Sequence, residues 1–302
     1  MSRSLKAHIL LVLVSFSWGA TFVMVKDALS VVSPLVFNAV RMGCASIALF
    51  LIFRKQLKQL NRGTIIGGAL LGVFLWSGYS FQTVGLGMTT PSKSAFITGL
   101  AVVIVPIIVA ISGRRVPNRW TIAGIISAFL GLYLLTIPAG ERFSLATINR
   151  GDLLTLGCPI SFGLHIYTMG RLMERHPFKP IAVMQIATAA ILMTATIPLE
   201  APRLVPTPQA IIAILFTGLI CTAAAFSIQA WAQQFTPPTH TALIFALEPV
   251  FAGLTSFVLL GEHLGTRGTI GAIFILGGIL ISELKGSSVE PARAHDAEFS
   301  IN

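Results

Sequence analysis

This chain has little charge. Asp, Glu, Lys and Arg make up 11% of its 302 residues, against 54% hydrophobic. An ordinary soluble domain carries about 25% charged residues, so the solvent of this chain is largely lipid. Its three cysteines, Cys44, Cys158 and Cys221, stand at unrelated spacings inside apolar runs. That excludes a disulfide scaffold and a thiolate metal centre and leaves small packing residues. No phosphate-cradling Gly-x-x-x-x-Gly-Lys loop occurs, which argues against ATP-driven work by this chain alone. Neither His-x-x-Glu-His nor Cys-x-x-Cys is present, so no metal site and no cofactor are expected. A cleavable leader is not expected either: Arg3 and Lys6 precede an apolar stretch that Trp18 to Val25 continue without a small-residue cleavage site.

What is present is a succession of apolar runs separated by short polar or basic breaks. A bilayer core needs about 20 helical residues. On that scale the runs predict ten transmembrane helices, near residues 8–26, 34–53, 64–81, 95–112, 120–137, 151–169, 181–198, 209–227, 241–260 and 268–284. The runs are continuous rather than alternating, which favours helices over a barrel. The excess of basic residues, +10 in formal charge, follows topology rather than nucleic acid. With the N-terminus inside, the inner segments hold Arg54, Lys55, Lys58 and Arg62, then Arg114, Arg115 and Arg119, then Arg171, Arg175 and Lys179, besides Arg3, Lys6, Lys285 and Arg293. The outer segments hold only Lys26, Lys93, Arg142, Arg150, Arg203 and Arg267. That bias places both termini in the cytoplasm and the protein in a cytoplasmic (inner) membrane.

The membrane part is written twice. Ser80, Gln82, Thr89, Pro91, Ser94, Ala95 and Ile97 recur as Ser227, Gln229, Thr236, Pro238, Thr241, Ala242 and Ile244, at a constant offset (229 − 82 = 147). The same offset sets Gly124 on Gly271 and Gly131 on Gly278. Five helices per copy is odd, so the second copy enters the membrane from the opposite side, an inverted repeat. The expected division is residues 1–146, residues 147–284, and a disordered cytoplasmic tail over 285–302, with the join in the loop around 138–150. Pro106 and Pro249 lie inside the fourth and ninth spans, where proline removes a backbone hydrogen bond and kinks a helix. They are the expected hinges.

These residues resemble the EamA-type branch of the drug/metabolite transporter superfamily. The resemblance is carried by Trp18-Gly19 with Phe22, by Pro34 with Arg41, and by the stretch from Thr89 to Leu100 with Pro106 beyond it. The second copy adds Ala242, Leu243, Glu248-Pro249, Gly261-Glu262 and Gly271. It covers roughly residues 8 to 284, in line with about ten apolar spans. It implies ten helices, an inverted repeat, a central cavity that alternates between the two faces, and export of amino acids or related metabolites. Sugars, nucleotide-linked compounds and cationic drugs are cargoes of other relatives. One departure is that the offset places Ala101 opposite Glu248.

Within the spans, ionisable side chains are expensive and mark candidate sites. Arg41 could bind a substrate carboxylate or pair with an acid, or snorkel to the interface. Glu248, just before Pro249, could receive a substrate ammonium or carry a coupling proton, or satisfy backbone groups that the proline frees. Whether Arg41 and Glu248 pair is open at this point. His165 could relay protons or be a neutral bundle histidine. Trp18, Tyr79, Gln82, Thr98 and Gln229 are candidate cavity groups, two for stacking and three for hydrogen bonding; the alternative for each is packing between helices. Lys93 and His240, 147 apart, are expected to be solvated at the membrane edge. The implied function is a secondary transporter with a small-molecule cargo and possible proton coupling. Its rivals are a passive facilitator or channel and an intramembrane enzyme using His165 and Glu248.

Overall fold

The computed structural model describes residues 2–89, 91–113, 117–137, 149–260 and 265–286. The expected join, Glu262 and the tail beyond 286 lie outside them, as does the Lys93 side chain. The described residues are helical, with one isolated antiparallel bridge between Val32 and Leu204. In order the helices are α1 (Arg3–Gly19), α2 (Phe22–Ala28), α3 (Pro34–Phe53), α4 (Arg62–Met88), α5 (Pro91–Gly99), α6 (Ala101–Gly113), α7 (Arg119–Thr136), α8 (Arg150–Thr155), α9 (Gly157–Met173), α10 (Phe178–Thr196), α11 (Pro208–Gly218), α12 (Ala225–Ala232), α13 (Pro238–Phe245), α14 (Glu248–Leu260) and α15 (Gly265–Ile281). Several are continuous in direction, and together they give eight segments long and apolar enough to cross a membrane, from Arg3–Ala28 to Pro208–Ala232. The expected ninth span is the broken pair α13–α14, and the expected tenth is the 17-residue α15.

The helix starts are set by residues that answer the orphan amide donors of the first turn. Asn61 Oδ1 accepts from the Thr64 N–H while Thr64 Oγ1 accepts from the Asn61 N–H, a reciprocal capping box for α4. Asn149 and Asp152 repeat the device at α8. Pro34, Pro208 and Pro238 stand in the first turn of their helices, where a missing N–H costs nothing. Gly265, at φ +63, turns the chain into α15 through the left-handed region that glycine alone enters freely. Asn61→Ala should lower stability by about 1 kcal/mol, to be read from the melting of the detergent-solubilised protein; an unchanged melt would mean that the box contributes nothing.

The repeat shows most directly where α7 meets α15. A Cβ on Gly124 would lie 2.5 Å from Gly278 O, and one on Gly131 would lie 2.5 Å from Gly271 O. One index rises by seven as the other falls by seven, so the helices run antiparallel with backbones touching. Between these contacts Ser127 Oγ donates to Phe274 O at 2.7 Å, and Phe274 is the counterpart of Ser127 at the 147 offset. Two equivalent helices therefore cross about a local two-fold. Gly68 and Gly72 pack on Met184 and Thr188 of α10 in the same chain, so that glycine pair serves an internal contact.

Candidate functional site

The expected fourth and ninth spans are interrupted at matching places. After α5 the Leu100 N–H donates to Ile97 O at 3.1 Å, and after α13 the Leu247 N–H donates to Ile244 O at 3.1 Å. Each helix then resumes with a bond back to the residue at the break, from the Ile104 N–H to Leu100 O and from the Phe251 N–H to Leu247 O, both 3.0 Å. All four donors and acceptors correspond at the 147 offset. Pro249 stands at the second interruption. Pro106 does not stand at the first: α6 runs unbroken through it, and the interruption falls at Gly99–Leu100, earlier in the chain. A tight turn closed by the Leu100 N–H, not the proline, is what interrupts the fourth span.

Around these interruptions lies a cavity of about 100 Å³, where roughly 10–15 Å³ on the same measure suffices for one water. Trp18, Arg41, Tyr79, Gln82, Thr98, His165, Gln229 and Glu248 all line it, together with Pro249. Much of the lining falls into counterparts at the 147 offset: Trp18 with His165, Tyr79 with Phe226, Gln82 with Gln229, Thr98 with Phe245, and Ala101 with Glu248. The cavity therefore straddles the relation between the halves, similar in framework and unequal in chemistry.

Arg41 is 5% exposed. Its Nε and Nη2 donate to Thr222 Oγ1 at 3.2 and 2.9 Å, and its guanidinium lies over the Tyr79 ring at 4.4 Å. Thr222 is presented by the π-helical turn Leu219–Ala224 between α11 and α12. No Arg41–Glu248 ion pair forms among the described residues, and the Glu248 carboxylate accepts no hydrogen bond there. Glu248 opens α14 directly against Gly19 of α1, which has no side chain to keep the backbones apart. His165 is buried and bonds Gln185 Oε1 at 2.8 Å. Gln82 Nε2 donates to Thr98 Oγ1 at 3.3 Å. Trp18 Nε1 donates to Cys221 O at 2.8 Å, which fixes the indole between Phe226 and Phe245. The arrangement offers one buried cation, one carboxylate without a protein partner, several amides and an aromatic wall: a site that can hold a small amphipathic molecule through both its polar and its apolar parts.

Comparison with known proteins agrees with this architecture. The model of the EamA-like transporter family matches the chain twice, over residues 5–137 and 149–284. The chain belongs to that family. An uncharacterized transporter of Archaeoglobus fulgidus is 32% identical over 94% of this chain and 87% of its own length. The uncharacterized transporter YoaV of Bacillus subtilis is 24% identical over 89% of this chain and 94% of its own. A WAT1-related protein of Arabidopsis thaliana is 23% identical over 91% of this chain and 85% of its own. A solved crystal structure superposes with a TM-score of 0.76 over 94% of this chain and 99% of that one at 17% identity, which shows a shared fold. This EamA-like protein is thus a multi-pass membrane protein from a family of transporters rather than of enzymes.

Several groups of this EamA-like transporter's site escape a reading of single residues. Thr222, the partner of Arg41, is a small hydroxyl in an apolar run with nothing to mark it. Phe226 was accessible as the repeat counterpart of Tyr79, and Gln233 as the residue one helical turn beyond Gln229. Lys26, counted among the outer-segment charges, donates to Leu86 O at 2.6 Å and Thr89 O at 3.1 Å, satisfying carbonyls at the end of α4. His240, expected to be solvated, is 4% exposed.

Proposed function

We propose that this chain is a secondary transporter, an exporter of amino acids or similar small amphipathic metabolites across the cytoplasmic (inner) membrane. It crosses the membrane ten times as two inverted five-helix copies, residues 1–146 and 147–284, with both termini in the cytoplasm. The observation that carries this reading is the cavity: it is lined by repeat counterparts and holds one cation and one carboxylate that do not neutralise each other. In an inverted repeat, the exchange of conformations between the two copies turns such a cavity from one face to the other. The matched interruptions at Gly99–Leu100 and Ala246–Leu247 supply the bending points, with Pro249 weakening the second further. Arg41 receives the carboxylate of the cargo, while Glu248 receives its amino group or a coupling proton. Trp18, Tyr79 and the amides of Gln82 and Gln229 enclose the rest.

The test is uptake of labelled amino acids into liposomes containing the purified protein, with and without an imposed proton gradient. Saturable uptake of a few is expected, stimulated by the gradient; its complete absence would remove amino acids as cargo. Glu248→Gln keeps the size of the side chain and loses the exchangeable proton, so the variant should lose gradient stimulation while remaining folded. Stimulation equal to wild type would remove Glu248 from coupling. A passive facilitator would show no accumulation against a gradient.

A further inference from the structure

Two glutamines on α12 and the turn that follows it form a chain whose direction is fixed at one end. Gln233 Nε2 donates to the backbone carbonyl of Ile166 at 2.9 Å, and Gln229 Nε2 donates to Gln233 Oε1 at 3.0 Å. A backbone carbonyl can only accept. Gln233 must therefore give it the amide nitrogen, which turns its own oxygen to Gln229, which in turn must answer with nitrogen. Gln229 Oε1 is thereby left without a partner, although it is buried, and a buried acceptor left unpaired is costly. Gln229 also lines the cavity that Glu248 lines.

We infer that Gln233 is a positioning residue: it holds the Gln229 amide with its oxygen free, so that Gln229 Oε1 and the Glu248 carboxylate together receive a primary amino group on the cargo. This rests on the transport reading above and names the chemistry that its site selects. Gln229 Oε1 only accepts, and so does Glu248 when it is ionised, so together they suit an N–H-rich cation and disfavour a carboxylate.

The corresponding positions of the first half do not repeat this device. Leu86 stands at the position that corresponds to Gln233, and Ala101 at the one that corresponds to Glu248. Gln82 bonds Thr98, whose hydroxyl both donates and accepts and so leaves that amide free to turn either way. The cation comes instead from the first half: Arg41 uses Nε and Nη2 on Thr222 and keeps Nη1 without a protein partner among the described residues. A zwitterion lies with its ammonium on the second half and its carboxylate towards the first. Trp18, Phe226 and Phe245 meet its apolar body.

Binding of three probes to the full-length purified protein tests this: phenethylamine, L-phenylalanine and 3-phenylpropanoate, measured by isothermal titration. Both amines should bind at least about tenfold more tightly than 3-phenylpropanoate. Gln233→Met should shrink that preference by about tenfold with little loss of 3-phenylpropanoate binding, because the freed Gln229 amide can turn its nitrogen to a carboxylate. A role in packing alone would weaken all three alike. Gln229→Met should shrink the preference as well and serves if Gln233→Met is not monodisperse. An undiminished preference in both variants, a parallel loss for all probes, or a wild-type protein that binds the deaminated probe as well as the amines, or binds none, overturns the inference. Saturable amino-acid uptake without amine preference would sink the inference and leave transport standing. Amine-selective binding without uptake would do the reverse.

Discussion

Arg41→Ala should abolish transport, with uptake falling by about 100-fold or more at equal protein abundance. Hydrogen bonds that involve a charged partner contribute roughly 1.5–3 kcal/mol each, and Arg41 is the cation of the cavity. The guanidinium bonds Thr222 through two nitrogens, lies over Tyr79, and makes no hydrogen bond through Nη1 among the described residues. Lysine brings a single ammonium without the planar fork, so Arg41→Lys should restore little. Thr222→Val removes the acceptor and leaves the cation, and a milder loss of about tenfold is expected. Uptake into liposomes, normalised to the reconstituted protein, measures all three. Wild-type uptake by Arg41→Ala would remove this residue from the site.

The second large effect is on stability. Gly131→Leu should destabilise the protein by at least about 2 kcal/mol, the scale of an overpacked interior. Its Cβ alone would lie 2.5 Å from Gly271 O and 2.8 Å from Ile275 N. These are backbone atoms, which cannot rotate away, so α7 and α15 must part. The neighbouring glycines Gly277 and Gly278 make an internal control. A Cβ at Gly278 meets Gly124 O at 2.5 Å, whereas one at Gly277 meets nothing within 4 Å. Gly278→Ala should therefore lower the melting temperature in detergent, while Gly277→Ala should leave it unchanged or raise it, since alanine is favoured over glycine within helices by about 1 kcal/mol. Equal effects from both would mean that the close crossing is absent in solution.

The reciprocal glycine pairing also explains why the repeat was so legible. At a helix crossing on a two-fold, each small residue is needed twice, once in each copy, so the pattern survives in both halves of the sequence. The cavity followed the same logic: Gln82 and Gln229 could be singled out together because the offset ties them, and the structure places both in its lining. His240, expected to be solvated, went the other way. A side chain at a span end can reach water or fold back onto carbonyls, and hydropathy is blind to that choice.

The sequence by itself determined that this chain lives in a membrane, that it is built from two related halves, and which polar residues those halves carry inward. These properties are local or periodic: a lipid solvent forbids scattered charge, and a repeat shows as a constant offset. Only the tertiary structure decided the partners. Arg41 turns to Thr222 and not to Glu248, the fourth span breaks at Gly99–Leu100 and not at Pro106, and the Gln229 amide takes its direction from a carbonyl on α9. The first and the last of these depend on which groups, far apart in the chain, come within about 3 Å of each other, the range over which a hydrogen bond forms. Spacing along one helix carries no record of that approach.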